Sequence, residues 1–367
     1  MVTKQQGVYG RLICDYSEPC TLAPDCARSA TNLGGLGGTL SLEVLVMTTY
    51  IIRRILISIP LLIAISFIAF MIFNLAPGNY FDSLRMNPQI SEETIKQYEA
   101  QYHLDKPPIV QYGYWLKNIV RLDFGYSFVK KAPVTEVIKA RLFNTLILSL
   151  AALLFTWLIA IPIGIYCAVN RYSWGDKIFS TLSFLGMSTP NFFLALLLLF
   201  AASAIGILPL GGMMSSDYEQ MSFLAKVWDV LKHLIIPTLV IGTSAMAGLQ
   251  RLMRGNMLEV LRAHYITTAR AKGLSESAVI YKHALRNAIN PMITIFGYEL
   301  SDILSGAALT EIICNWPGLG NVMLEAVRSQ DLFLVMGSML MGGILLIFGN
   351  LVADVLLAWV DPRIQYQ

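Results

Sequence analysis

Long apolar runs with few or no charges limit the folds that are open to this chain. The first run, residues 55–76, contains no charged side chain. At about 1.5 Å per residue, a helix of that length crosses the roughly 30 Å hydrocarbon core of a bilayer. Five similar runs follow, at 142–169, 178–216, 234–250, 289–309 and 332–353. The runs are continuous rather than alternating, so the sequence predicts an all-α polytopic membrane protein with six transmembrane helices.

The overall composition agrees with a membrane protein. Hydrophobic residues make up 55% of the chain and charged residues 14%, whereas soluble domains carry about 25% charged residues. This composition excludes a disordered chain and argues against an ordinary soluble enzyme. The sequence contains no P-loop, H-E-x-x-H or G-x-S-x-G motif. We therefore expect no catalytic residues and no ATP site in this chain.

Cysteine and histidine positions give no indication of a metal site. The five cysteines are Cys14, Cys20, Cys26, Cys167 and Cys314. None of them forms a C-x-x-C pair or lies near a histidine at zinc-ligand spacing. We expect reduced, unpaired thiols and no bound metal.

Basic residues predict the orientation in the membrane. The segment between the fourth and fifth runs carries seven basic residues against Glu259 and Glu276; they are Arg251, Arg254, Arg262, Arg270, Lys272, Lys282 and Arg286. Short loops rich in Lys and Arg stay in the cytoplasm. With an even number of spans, both termini are then cytoplasmic. A membrane-anchored connector explains these charges better than nucleic-acid binding does.

Two segments exceed what six simple spans require. Residues 77–140 are too long for a plain connection and contain an acidic, helical pattern that ends at Pro107 and Pro108. We expect them to form a small extracytoplasmic cap. Residues 1–46 lack an apolar core typical of a signal peptide, and Met47 begins a stretch that looks like a natural start. We expect residues 1–46 to be a disordered leader or a start-site artefact, 47–76 to form the first span, and 141–367 to hold the other five.

The basic loop, residues 256–290, has an amphipathic pattern rather than a spanning one. Leu258, Leu261 and Tyr265 recur at helical spacing. Gly273 can end that helix in a left-handed conformation, and Ser275, followed by Glu276, is a suitable cap for a second helix. The pattern predicts a helix, a sharp turn and a second helix.

Two interpretations of the basic loop are open on these residues. It could be a connector that lies on anionic lipid. That interpretation accounts for the arginines but not for the small residues Thr268, Ala269 and Ala271 beside the glycine. Small residues let a backbone turn fit into a groove of another protein.

Several short sequence motifs in the chain resemble those of a known family. Residues 267–273 (TTARAKG) and 283–291 (HALRNAINP) resemble the EAA loop of ABC importer permeases, with Gly273 at the glycine of the motif. Threonine at position 267 replaces the usual glutamate, as in the peptide-permease branch. Residues 47–367 resemble the B-type subunit of dipeptide, oligopeptide and nickel permeases, and residues 1–46 have no counterpart. Further matching motifs occur at 75–78, 104–107, 123–127, 141–145, 316–320 and 361–363.

The resemblance implies a transport role without enzymatic activity. The chain would form half of a translocation pathway for short peptides in a bacterial or archaeal cytoplasmic membrane. Its partners would be a homologous second permease, two P-loop ATPases that bind ATP and Mg²⁺, and an extracytoplasmic substrate-binding protein. The coupling loop that docks on the ATPase would comprise Thr267, Thr268, Ala269, Arg270, Ala271, Lys272, Gly273, His283 and Leu285. The loop of Trp316, Pro317, Gly318 and Gly320 would face outward, near the docked binding protein.

Glu299 and Asp302 are charged residues within the fifth apolar run. They share one helical face, and a carboxylate at mid-bilayer costs roughly 2.5–3.5 kcal/mol. They line the translocation path, pair with a basic residue of a partner subunit, or lie nearer the outer interface than the run suggests. A secondary transporter that works without an ATPase is the alternative function, although the halves show no clear hydropathy repeat. A membrane scaffold is a second alternative, which the two acids disfavour. The sequence does not name the substrate among dipeptides, oligopeptides, nickel chelates and glutathione.

Overall fold

The computed structural model describes residues 37–75, 78, 80–85 and 91–360. Two compact units divide at Ile51, and the second contains the predicted membrane runs. Residues 1–36 of the predicted leader lie outside the described residues. The first helix, α1 (Gly37–Leu75), begins before residue 47, so the last part of the predicted leader is helical. The helix thus starts upstream of residue 47, and the interpretation of residues 1–46 as a leader or a start-site artefact stays a prediction.

The described residues are almost entirely helical. The cap side contains α2 (Tyr80–Arg85), α3 (Glu92–Gln101), α4 (Pro108–Ile119) and a two-stranded antiparallel ribbon of β1 (Tyr126–Ser127) and β2 (Ala132–Pro133). The remaining helices are α5 (Val134–Val169), α6 (Trp174–Ser188), α7 (Asn191–Ile205), α8 (Phe223–Val260), α9 (His264–Ala271), α10 (Leu285–Ala288), α11 (Asn290–Ile313), α12 (Leu319–Arg328) and α13 (Leu332–Val360). A 3₁₀ turn (Tyr218–Gln220) and a π-helix (Ala278–Ala284) complete the set.

The lengths of the apolar helices confirm the polytopic all-α class but not the number of spans. Among the described residues, α1, α5, α8 and α13 are long and apolar enough to cross a membrane, and the bent pair of α6 and α7 is a fifth candidate. The fifth predicted run corresponds to α11, whose 24 residues would extend about 36 Å. The count of six therefore stays a prediction.

The run at 178–216 does not form one straight helix. Helices α6 and α7 meet at an angle of 108°. Thr189 is extended (φ −90°, ψ 118°) just before Pro190, because a residue that precedes proline avoids the helical region. Gly206 ends α7 in a left-handed conformation at φ 72°. The run, which we expect to include a span and part of the following loop, is thus divided by a bend, as in a broken span or a re-entrant loop.

Two predicted boundaries also move because the helices are longer than their apolar runs. The run at 234–250 is the middle of α8, which has 38 residues. Helix α5 begins at Val134, so the cap ends before residue 140. The predicted acidic helix of the cap is confirmed as α3, where Ser91 Oγ accepts a hydrogen bond from Thr94 N at 3.2 Å. Pro108 begins α4, as expected of a proline in a first turn.

A buried carboxylate joins the cap ribbon to the last helix. Asp331 is fully buried. Its Oδ2 accepts hydrogen bonds from Ser127 Oγ at 2.7 Å and Val129 N at 3.2 Å. Its Oδ1 accepts from Leu334 N at 3.3 Å, in the first turn of α13. A carboxylate that accepts hydrogen bonds at both oxygens thus connects the ribbon with the start of α13.

We expect Asp331→Asn to loosen the cap. The amide keeps one acceptor oxygen and places an NH2 against donors, at a cost of roughly 1–3 kcal/mol for the unsatisfied groups. Amide hydrogen exchange should become faster in residues 126–133 and in the first turn of α13. Asp123→Asn is the matched control, because its single acceptor bond from Gly125 N (2.9 Å) survives the change. Equal exchange in the two variants would contradict the role of Asp331.

Candidate functional site

The basic loop has two helical segments, as predicted, but it begins later than the pattern indicated. Helix α8 continues to Val260, and α9 starts at His264 after a turn in which Ala263 is extended (φ −68°, ψ 145°). Leu258 and Tyr265 therefore belong to different helices, and the predicted single stripe is wrong. Periodicity did not reveal this break because the residues on both sides of it are good helix formers.

Helix α9 ends in a turn that requires glycine. Gly273 has φ +77°. Leu274 N donates to Ala269 O at 3.4 Å and Gly273 N donates to Arg270 O at 2.9 Å, which is the pair of bonds of a Schellman motif. The expected left-handed Gly273 is confirmed.

An ion pair and a cap hold the two sides of this turn together. Arg270 donates to Glu276 through Nε (3.1 Å) and Nη2 (2.6 Å). The Arg270 guanidinium holds the pKa of Glu276 below its ordinary value, so the pair persists above that lowered pKa and is lost as the pH falls through it. Ser275 Oγ accepts from Ala278 N at 3.4 Å, which confirms the predicted cap. The second segment then continues as a π-helix, a feature that often occurs at functional sites.

The basic loop rests on a hydrophobic cluster. Ile266 and Ala269 of α9 are 0% and 8% exposed. Asn287 Nδ2 donates to Tyr265 Oη at 2.7 Å and links α9 to α10. The cluster beneath them includes buried residues from α5, α8, the π-helix, α10 and α11: Ala160, Ile165, Ala168, Leu249, Met253, Met257, Val279, Ile280, Ala284, Ala288 and Met292. The loop is thereby packed against the helix bundle as one body.

The opposite face of the loop is open. Of the predicted coupling residues, those exposed to solvent are Thr267, Thr268, Arg270, Ala271, Lys272 and Gly273. His283 and Leu285 are half-buried, and Ala269 points inward. The structure therefore brings the predicted residues together, with Ala269 anchoring the helix and its neighbours forming a surface.

The loop of residues 316–320 is packed into the protein. Trp316 is fully buried, and its Nε1 donates to Asn144 O at 3.0 Å. Gly318 and Gly320 are buried too, and a Cβ at either position would overlap the Glu311 carboxylate or Ala308. These residues pack into the protein, and the position of their loop near a docked binding protein stays a prediction. They pack inward because the glycines allow close approach to α11.

Glu311, which the sequence analysis did not identify, organises this region. It is fully buried and accepts hydrogen bonds from Thr145 Oγ1 at 2.6 Å and Gly320 N at 2.7 Å. Thr145 Oγ1 in turn accepts from Leu319 N at 2.9 Å. A carboxylate at the end of an apolar run, followed by a glycine-rich loop, was the available signal.

The two acids proposed for a pathway lie on α11. Glu299 is half-buried, whereas the side chain of Asp302 lies outside the described residues. Their assignment to a pathway therefore stays a prediction.

Comparisons with known proteins agree on one family. The family described as "Binding-protein-dependent transport system inner membrane component" matches residues 160–366. The corresponding N-terminal family, a membrane component of the same transport systems, matches residues 47–151. The chain belongs to this family of binding-protein-dependent permeases, and it is a multi-pass membrane transport component.

Similar proteins cover most of the chain. It is 42% identical over 322 residues to the oligopeptide transport system permease protein AppB of Bacillus subtilis, covering 87% of this chain and all of AppB. It is 35% identical over 334 residues to the dipeptide transport system permease protein DppB of Alkalihalophilus pseudofirmus, again covering 87% of this chain and all of DppB. A solved chain of the inward-facing MetNI methionine ABC transporter has a TM-score of 0.47 and 16% identity, covering 61% of this chain and 96% of that one.

We expect Gly273→Val to open the turn after α9. A branched residue in a left-handed conformation costs about 1–2 kcal/mol, and no atom lies within 4 Å of an added Cβ, so the cost is conformational. Gly273→Asn should cost less, since asparagine tolerates this region. Hydrogen exchange at Leu274 measures the opening. Gly255→Ala is the control, because Gly255 lies within α8, does not have a positive φ and also has open space around it. Similar exchange in the valine and alanine variants would contradict the argument.

Proposed function

We propose that this chain is one of two permease subunits of an ATP-driven ABC importer that takes up short peptides. The observation that carries the proposal is the rigid basic loop with an open face, in a chain of the binding-protein-dependent family. The names of the oligopeptide and dipeptide relatives support peptides as the substrate class. A family that depends on a binding protein does not favour the alternative of a secondary transporter.

The open face of α9 is the proposed ATPase contact. Thr267, Thr268, Ala271 and Lys272 would lie in a groove of the ATPase, while Ile266 and Ala269 hold the helix to the bundle. Because α9 packs on α8 and α11 through the same cluster, closure of the ATPases would move these helices as a rigid body. ATP and Mg²⁺ would bind at the ATPase subunits, and this chain would contribute no catalytic group.

The other partners follow from the same arrangement. A homologous second permease would supply the other half of the pathway. The seven basic residues support a cytoplasmic position for the basic loop and both termini, and the cap would then face the binding protein on the opposite side. There the buried 316–320 loop would support the docking surface rather than form it. The acids Glu299 and Asp302 would line the path and attract the ammonium group of a peptide.

We expect Ala271→Glu to release the ATPases. Ala271 is an exposed residue in the last turn of α9, so the change leaves the loop folded but places an unpaired carboxylate in the contact. ATPase recovery in a pull-down from gently solubilised membranes should fall by at least about tenfold, which corresponds to about 1.4 kcal/mol. The second permease should still co-purify.

Ala100→Glu is the matched control for this pull-down. Ala100 is also exposed in the last turn of a helix, but that helix is α3 of the cap. Equal recovery of ATPases with both variants would overturn the docking assignment. A chain that purifies alone in every case would overturn the importer itself.

We expect Glu299→Gln to slow peptide uptake. Removing the charge would lower the affinity of the path for cationic peptide ends by up to about tenfold, while complex yield stays normal. Uptake of labelled dipeptides and oligopeptides into proteoliposomes that contain the whole complex measures this. Unchanged uptake would remove Glu299 from the path. Transport of a nickel chelate or glutathione in place of peptides would overturn short peptides as the proposed substrate class.

A further inference from the structure

Helix α6 is fastened to α8 by a two-pronged ion pair whose carboxylate is buried. Asp176, in the first turn of α6, is only 3% exposed. Its Oδ1 accepts from Arg254 Nε at 2.8 Å and its Oδ2 accepts from Arg254 Nη2 at 2.9 Å. Tyr172 N (2.9 Å) and Ser180 Oγ (3.3 Å) complete the hydrogen bonding of the carboxylate. Such parallel bonds fix direction as well as distance.

Further contacts continue along the same side of α6. Ser183 Oγ donates to the buried Gln250 Oε1 at 2.9 Å. At Gly186, an added Cβ would lie 3.0 Å from Thr243 Cγ2, so the two helices approach closely there. Positions 176, 183 and 186 share one helical face. Helix α6 is therefore held to α8 over nearly its whole length.

The ion pair also lies directly next to the basic loop. Arg254 is in the last two turns of α8. Its neighbours Met253 and Met257 are fully buried in the cluster that holds Ile266 of α9. A displacement of α9 is thus carried to α8 at the position where Asp176 is attached.

Beyond its fastened face, α6 ends at a bend. The extended Thr189 and Pro190 separate it from α7 at 108°. Pro190 has no N–H to continue the helical ladder, so the chain changes direction at this position. Helix α6 is therefore attached to α8, beginning near the basic loop at Asp176, and it ends at the break before α7.

We infer that Asp176 and Arg254 are positioning residues for transport: they make α6 move with the basic loop and so carry its displacement to the bent pair α6–α7. The inference rests on the proposed importer function. An ion pair that only stabilised the fold would alter complex yield, but it would not change how much peptide moves per ATP.

The test uses the complete complex in proteoliposomes, with peptide uptake and ATP hydrolysis measured on the same sample. Asp176→Asn and Arg254→Gln should each lower peptide transported per ATP by at least about fivefold, the low end of ordinary coupling effects. Arg254→Lys should be intermediate, since it keeps the charge but loses the second prong. The double variant Asp176→Asn, Arg254→Gln should be no worse than either single one, because the two groups act as a unit.

Controls separate this inference from the function on which it rests. Asp105→Asn removes an exposed pair with Lys106 (2.9 Å) in the cap and should leave the ratio unchanged. If a variant fails to assemble, Arg254→Lys and Ser183→Ala decide the question, since both leave Asp176 in place. Uptake and hydrolysis that fall in proportion, at normal assembly, would overturn the inference while the importer stands. Absence of ATP-dependent peptide uptake in the unaltered complex would overturn the proposed function instead.

Discussion

Buried carboxylates whose oxygens must all be satisfied hold the helices of this protein in register. In an apolar surrounding, an unpaired carboxylate is far too costly to persist, so each one dictates which donors lie beside it. Asp331 connects the cap ribbon to the start of α13 through hydrogen bonds. Glu311 connects α5 to the 316–320 loop in the same way. Asp176 connects α6 to α8.

Lipid makes such contacts more decisive than they would be in water. Lipid tails are as apolar as leucine, so apolar burial alone gives membrane helices little preference for one another. Close approach through small residues supplies the rest of the packing. An added Cβ at Gly164 of α5 would lie 2.7 Å from Met253 Cβ, and one at Gly242 of α8 would overlap Phe155. The missing side chain at these glycines therefore allows α5 and α8 to pack closely, and polar contacts select the orientation of the two helices.

Local features of the fold follow from the sequence, and long-range ones do not. Apolar runs predicted the helices because hydrophobic length is a property of a single segment. The same holds for Gly273 and Ser275, whose conformations depend on a few neighbouring residues. The partners of the buried carboxylates lie 204 residues (Ser127), 166 residues (Thr145) and 78 residues (Arg254) away. No local pattern indicates which distant donor faces which acid, so Glu311 and the inward direction of Trp316 were missed.

The bend between α6 and α7 shows the same limit in another form. Both sides of Thr189 and Pro190 are apolar, so composition describes the run at 178–216 equally well as one span or two segments. Only the direction of the chain after the proline distinguishes them, and composition does not encode that direction.

One side of the basic loop is packed against the helix bundle, and the other side exposes apolar side chains. Tyr265, Leu274 and Tyr281 are 43%, 42% and 60% exposed, and Ala271 and Lys272 are exposed as well. A loop that only connected two spans would gain nothing from burying Ile266 completely while leaving large side chains open. Apolar side chains that cluster on the surface of a firmly packed element are typical of a contact with another protein. Such a contact can transmit a displacement only if the loop is rigid. A flexible loop would absorb the displacement, whereas a packed loop would pass it on to α8 and α6.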